Sequence, residues 1–414
     1  MIRILSAAAA TAKVHTIAAR GSRHAEVETV VRRIVADVRR RGDRALRKYG
    51  ERWDGLRTQE SLHVSAEEIR AAWKSAAPEL KASMRAAAAN IRRFSEWQKP
   101  MEWIRTRRGI TVGQMVRPLD SVGCYVPGGR YPLISTLLMT VIPAQVAGVK
   151  NIRVVSPQPR AEVLAAAGLL GVREVYRIGG AQAIAAMAYG TQTIPRVDKI
   201  VGPGNLYVTA AKKLVSFDCA IDFLAGPTEV VIVSDAGTPE FIAADLVSQA
   251  EHDPEALAVF ITTRDDLARL VAHAAEKLSR RNVVARQSLR GNGIILVSGS
   301  RKQSFEWANE LAAEHLTVDA SDLARVRNAG SVFVGNYSPQ AAGDYASGPN
   351  HVLPTGGAAR FRGGLSVLDF VKFISVQRLS RPGLKGIAMA VESLANAEGL
   401  RAHAESIRKR FGHA

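Results

Sequence analysis

From Ser121 onward the chain repeats one unit: a short apolar run, a turn rich in Gly or Pro, then a helical stretch. SVGCYVPGG, NIRVVSPQP, EVYRIGG and KIVGPGN form a first series. A second series follows, with TEVVIVSD before a helix at Pro239 to Glu251, ALAVFITT before a helix from Asp265, then GIILVSG and AGSVFVGNYSP. Strands that alternate with helices in this way pair in parallel and are buried on both faces, so two α/β units are expected. Before them, Val27, Val30, Val31, Ile34, Val35 and Val38 recur at helical spacing, and the pattern resumes from Ala66 to Phe94. After Asp369 helical periodicity returns and ends in the basic tail SIRKRFGHA. Such a tail cannot bury a core alone and is expected to pack on a partner.

Composition narrows the function. With 47% hydrophobic and 23% charged residues over 414 positions, the chain is globular rather than disordered. Its two cysteines, Cys124 and Cys219, cannot build a disulfide framework or a cysteine-rich zinc site, so any metal must use His, Asp, Glu or amide oxygen. The uncharged stretch Pro132 to Val149 holds Ser135, Thr140, Pro143 and Gln145 and reads as buried core, not as a membrane span. The N-terminus has no acidic residue before Glu26 but lacks the apolar segment of a secretory signal, and a cytoplasmic location is expected.

A net charge of +18 would ordinarily suggest a nucleic-acid partner. Its distribution argues otherwise: residues 1–110 carry 24 Lys and Arg against 12 Asp and Glu, whereas 214–263 hold nine carboxylates and neither Lys nor Arg. A local negative potential suits a cation, not a phosphate backbone.

Several constellations can carry chemistry. The turns PGGR (127–130), GGAQ (179–182) and GPGN (202–205) let backbone approach a nucleotide, although none is G-x-G-x-x-G and each alone also reads as a tight turn. Gln249 and His252 lie three apart at the end of a helix, at metal-ligand spacing; a capped, solvated helix end is the other reading. Glu314 and His315 are adjacent proton-transfer groups, or a polar pair at a turn. The polar loop GDYASGPNHVLPTGG offers Asp344, Asn350 and His351, and NAEGLRAH sets Glu398 five residues before His403, which is otherwise an exposed helical histidine. His15, His24, His63, His273 and His413 have no comparable surroundings.

Taken together, GCYVPGGRYPLISTLLM, GGAQAIAAMAYGT, KIVGPGNLYVTAAK, IDFLAGPTEV, AADLVSQAEHDP, EHL, GDYASGPNHVLPT and EGLRAH resemble the histidinol dehydrogenase family, in family order across residues 120–405. IVADVRRRGDRALRKYGERWDG is similar to that family's N-terminal region. The resemblance implies two Rossmann-like parallel-sheet domains with a helical N-terminal region and a small helical tail, in an intertwined homodimer. It implies an arm at 1–23, a discontinuous substrate and metal domain at 24–124 plus 233–368, an NAD-binding domain at 125–232, and a tail at 369–414 exchanged across the dimer.

The same resemblance implies zinc, one per subunit, on Gln249, His252 and Asp344 with His403 from the other subunit, a donor set that Mn²⁺ or Co²⁺ could also accept. NAD⁺ contacts map to Tyr125, Gln182 and Asn205. The implied reaction takes L-histidinol through L-histidinal to L-histidine in two hydride transfers, the last steps of histidine biosynthesis. In it His315 takes the alcohol proton and Glu314 activates water for the aldehyde. Substrate contacts map to Thr228, Gln249, His252, His315, Asp344, His351, Glu398 and His403. Departures are Thr228 where the family commonly has serine, AAEHL for PEHL, and Arg130 after the glycine pair. The rival readings are a relative acting on a sulfonated diol, which would need cationic recognition, a zinc hydrolase, and a nucleic-acid-binding protein. No specific nucleic acid and no membrane are expected as partners.

Overall fold

The computed structural model describes residues 2–19, 25–128 and 133–412. It separates into two compact units: residues up to Gln98 with Leu119–Phe370, and Lys99–Pro118 with the residues from Val371 onward. Arg130 lies outside the described residues, as do His24 and His413.

The larger unit holds both parallel sheets. In the five-stranded sheet the order is Glu174–Tyr176, Asn151–Val155, Ser121–Tyr125, Lys199–Val201, Ala220–Ile221, every pairing parallel. Strand order therefore reverses between Ser121–Tyr125 and Lys199–Val201, and ligands of such sheets bind beyond the carboxyl ends at that point. The six-stranded sheet has the order Arg3–Ser6, Gly293–Val297, Leu257–Thr262, Glu229–Val233, His315–Val318, Ser331–Val334, also all parallel. Its central strands are apolar runs buried on both faces, as in Val230, Val231, Ile232 and Val233. The α/β class with parallel sheets is thus as the sequence led us to expect.

Local chemistry sets the helices. Ser65 and Glu68 form a reciprocal capping box at the start of Ala66–Ser75, and Pro78 opens Pro78–Trp97. Asn205 caps Leu206–Val215 through the N–H groups of Tyr207 and Val208. Helix Ile134–Ala147, with Pro143 inside it, is buried against the five-stranded sheet, and no helix among the described residues is long and apolar enough to cross a membrane.

Several placements differ from the sequence expectation. Within the expected N-terminal arm, residues 3–6 form the edge strand of the six-stranded sheet, and Ala7–Ala18 is a helix packed on that sheet through Ala10, Val14 and Ile17. The helical opening was expected with 233–368. Instead Val31, Ile34, Val38 and Leu46 pack with Ile184, Met187 and Val208 on the five-stranded sheet. The reason is the apolar stripe of Ala25–Arg41, which matches the small-residue face of Gly180–Tyr189.

The smaller unit is built on an antiparallel sheet, Trp103–Arg107 with Ile110–Pro118 and Val371–Leu379, followed by helices Arg381–Ala397 and Arg401–Arg408. The C-terminal segment, expected to be helical, therefore opens with a nine-residue strand.

Candidate active site

Strand His315–Val318 runs beside Glu229–Val233, and this pairing brings Glu314 to Thr228 and Glu229 at the amino ends of both strands. Glu314 Oε2 accepts from the Thr228 hydroxyl at 2.5 Å and from the Glu229 N–H at 2.9 Å. Thr228 Oγ1 also lies 3.1 Å from Gln249 Oε1, so one side chain touches both the carboxylate and the end of helix Pro239–Ala250. Burial pushes the Glu314 carboxyl above its usual range, more than the neighbouring His315 draws it back.

His315 is almost wholly enclosed, 3% exposed. Its Nδ1 sits 3.1 Å from the Glu229 carbonyl, an acceptor only, so Nδ1 carries the proton and donates. Nε2 faces Asp344 Oδ1 at 3.4 Å but makes no hydrogen bond. Burial alone would lower this imidazole, but the Glu314 and Asp344 carboxylates outweigh it and raise it.

Asp344 stands on the short helix Gln340–Tyr345. Burial would raise its carboxyl, yet His315, His351 and His252 around it leave it below the ordinary value. His351 is held by the Asp344 carbonyl at 2.7 Å from Nδ1, with Nε2 3.4 Å from Thr136 Oγ1. Gln249 is buried and His252 exposed just beyond the helix end. Asn350 is a backbone staple: its amide donates to the Met139 carbonyl at 2.6 Å, and its oxygen accepts from the Val352 N–H.

A contact invisible in the sequence supports this arrangement. Acceptor and donor chemistry orients the buried Gln340 amide so that its nitrogen lies 3.2 Å from both Asp245 oxygens and its oxygen accepts from Thr317 at 2.6 Å. The helix carrying Asp344 is thereby tied to the helix carrying Gln249. Burial lifts Asp245 to about 6.

A second region lies at the strand-order reversal of the five-stranded sheet. Tyr125 ends its strand with the hydroxyl accepting from the Gly180 N–H at 3.1 Å, and Gly202 closes on the Tyr125 carbonyl, where a Cβ would stand 2.2 Å away. Gln182 donates its amide to the buried Asp54 at 3.1 Å, and Asp54 also accepts from the Gly179 N–H. Tyr125 and Gln182 are thus nearly sealed, whereas Asn205 is exposed at the turn.

The structure therefore brings Thr228, Gln249, Glu314, His315, Asp344 and His351 together, and separately Tyr125, Gln182 and the Gly202 turn. Glu398 and His403 lie in the smaller unit, both exposed. Among the described residues no group of three or more His, Cys, Asp or Glu is placed to hold a metal by itself.

The family model for histidinol dehydrogenase matches residues 18–411. The chain belongs to the histidinol dehydrogenase family. It is 49% identical over 394 residues to the histidinol dehydrogenase of Methanothermobacter thermautotrophicus, covering 91% of this chain and 92% of that protein. Against that of Syntrophotalea carbinolica it is 47% identical over 410 residues, covering 95% of each. The crystal structure of histidinol dehydrogenase from Elizabethkingia anophelis superposes with a TM-score of 0.94 at 36% identity, covering 99% of this chain and 98% of that one. This membership makes the chain an oxidoreductase acting on an alcohol.

Within the family frame, Thr228 keeps the hydroxyl on Glu314 that a serine would supply. Ala313, where the resemblance expects proline, is buried, and its carbonyl accepts from the Gly330 N–H at 3.0 Å.

Proposed function

We propose that this protein is a zinc- and NAD-dependent L-histidinol dehydrogenase that oxidises L-histidinol through L-histidinal to L-histidine. The observation that carries the reading is the enclosed cluster in which Glu314 and His315, adjacent in sequence, point separate polar atoms at one site bounded by Asp344, Gln249 and His351.

The donors present fit zinc. Gln249 offers an amide oxygen, His252 an imidazole and Asp344 a carboxylate among three imidazoles, and His403 of a second subunit would complete the set. Zinc held there would supply Lewis-acid polarisation of the amino alcohol, and Tyr125, Gln182 and Asn205 would hold the NAD⁺ that takes the hydride.

His315 donates through Nδ1 to a main-chain carbonyl, so Nε2 is the nitrogen that would take up the alcohol proton, and the carboxylates around the ring, which favour its protonated form, suit it to hold that proton. Glu314 is held by two donors on Oε2 alone, so Oε1 is free to take a proton from the water that hydrates the aldehyde. Burial that raises its proton affinity suits that work near neutral pH. His351 and, across the dimer, Glu398 orient the substrate's polar groups.

Exchange of the C-terminal segment in a homodimer is supported by apolar surface in the smaller unit: Trp103, Ile104, Phe373, Ile374, Met389, Leu394 and Leu400 are exposed. A cytoplasmic enzyme with no specific nucleic-acid partner fits a biosynthetic role. The test is NADH formation over a panel of L-histidinol and sulfonated diols, before and after chelation. Turnover of L-histidinol that chelation abolishes supports the reading; turnover of only the sulfonated diols overturns it.

A further inference from the structure

Lys212 and Asp222 form an ion pair in the interior of the larger unit, with side chains 2% and 0% exposed. Lys212 stands on helix Leu206–Val215, and Asp222 follows the strand Ala220–Ile221. Their atoms are 2.5 Å apart, and each also holds Gly202: Nζ donates to the Gly202 carbonyl at 2.6 Å, while Asp222 Oδ2 accepts from the Gly202 N–H at 2.8 Å. Oδ1 accepts from the Phe223 N–H as well. Both peptide groups of one glycine are therefore tied to a single buried pair.

Gly202 has φ +112°, a conformation that side chains rarely adopt, and it opens the GPGN turn at the reversal of strand order. A buried ion pair is seldom the most stabilising filling for its volume, so its presence here calls for a geometric role. From Asp222 the chain continues through Ala225, whose carbonyl accepts from Thr209, and Gly226, whose N–H donates to Thr355, to Thr228 on Glu314. One short strap thus leads from the pair to the candidate catalytic carboxylate.

We infer that Lys212 and Asp222 are positioning residues that hold the Gly202–Asn205 turn in the shape that receives the dinucleotide. The inference rests on the proposed dinucleotide role of that turn. Neither residue touches the ligand; they act through Gly202.

The test uses the full-length protein carrying Lys212→Met with Asp222→Asn, which removes both charges at nearly constant volume. NADH affinity is read by fluorescence titration, beside melting temperature and the separate KM values for NAD⁺ and L-histidinol. A folded double variant is expected to bind NADH about tenfold more weakly, with KM for NAD⁺ rising in parallel and KM for L-histidinol little changed. Asp222→Asn alone keeps an acceptor toward Gly202 and should fall between the two, which provides the measurement if the double variant does not fold. Unchanged NADH affinity in either folded variant overturns the inference. Failure of the unaltered protein to bind NADH would instead remove the dinucleotide reading on which it rests.

Discussion

The ring of His315 is fixed by the main chain of Glu229, whose carbonyl lies 3.1 Å from Nδ1, and this single contact leaves Nε2 as the nitrogen for the proposed proton transfer. Glu314, held by the N–H of the same residue, is a separate acceptor. The two oxidation steps should therefore respond to different substitutions. His315→Asn is expected to lower NADH production from L-histidinol by about 10³-fold, whereas Glu314→Gln should impair L-histidinal oxidation more than alcohol oxidation. Equal losses on both substrates in both variants would contradict the division.

Thr228 supplies one of the two donors on Glu314. Thr228→Ser keeps the hydroxyl and is expected to stay within about twofold of the original rate, while Thr228→Val, of the same size without the donor, should slow L-histidinal oxidation about tenfold. Steady-state rates on the aldehyde check this, and a Val variant as fast as Ser would show the hydroxyl to be dispensable.

Gly202 admits no side chain: its φ is positive, and a Cβ would meet the Tyr125 carbonyl. Gly202→Ala should lower the melting temperature by an amount corresponding to about 1–3 kcal/mol and weaken NADH binding together. Thermal melts and NADH titration measure the two effects, and full affinity would show that the turn tolerates displacement.

Asp37 ties helix Ala25–Arg41 to the helix Asp43–Trp53 that follows it. Arg41 pairs with its carboxylate and the Tyr49 hydroxyl donates to Oδ2 at 2.9 Å, and the hydrogen bonds from Arg41 above all draw its pKa down to about 2. The folded value lies below the unfolded one, so this contribution is full above the ordinary carboxylate range and is lost as pH falls from about 4 to about 2. Asp37→Asn should cost about 1–2 kcal/mol at neutral pH and nothing near the acid end. Denaturant titrations of both proteins across that range test the sign; a gap that widens on acidification would reverse it.

The fold was readable where one local signal sufficed. Val230–Val233 and Ala258–Ile261 are apolar runs bounded by turns, and both are central parallel strands. Arg3–Ser6 is only four residues long, and Trp103–Arg107 is exposed throughout, so neither shows the apolar alternation of a half-buried strand. The destination of the Ala25–Arg41 helix was equally hidden, because an apolar stripe states that a face is buried but not against what. In the site, Glu314 with His315, Gln249 with His252, the loop of Asp344 and His351, and Glu398 with His403 stood out as constellations, whereas Tyr125, Thr228 and the division of roles came through family resemblance. Asp245 with Gln340, Asp54 with Gln182, and Lys212 with Asp222 were missed because each pair meets only through the packing of separate elements, and no sequence spacing encodes such a meeting.

The central claim is that one enclosed site performs two successive oxidations on a single substrate, with His315 and Glu314 each accepting a proton in turn. The molar yield of NADH from a limiting amount of L-histidinol, run to completion with excess NAD⁺, tests it most directly. The account predicts two NADH per L-histidinol and L-histidine as the product; one NADH with accumulated aldehyde, or none, would contradict it.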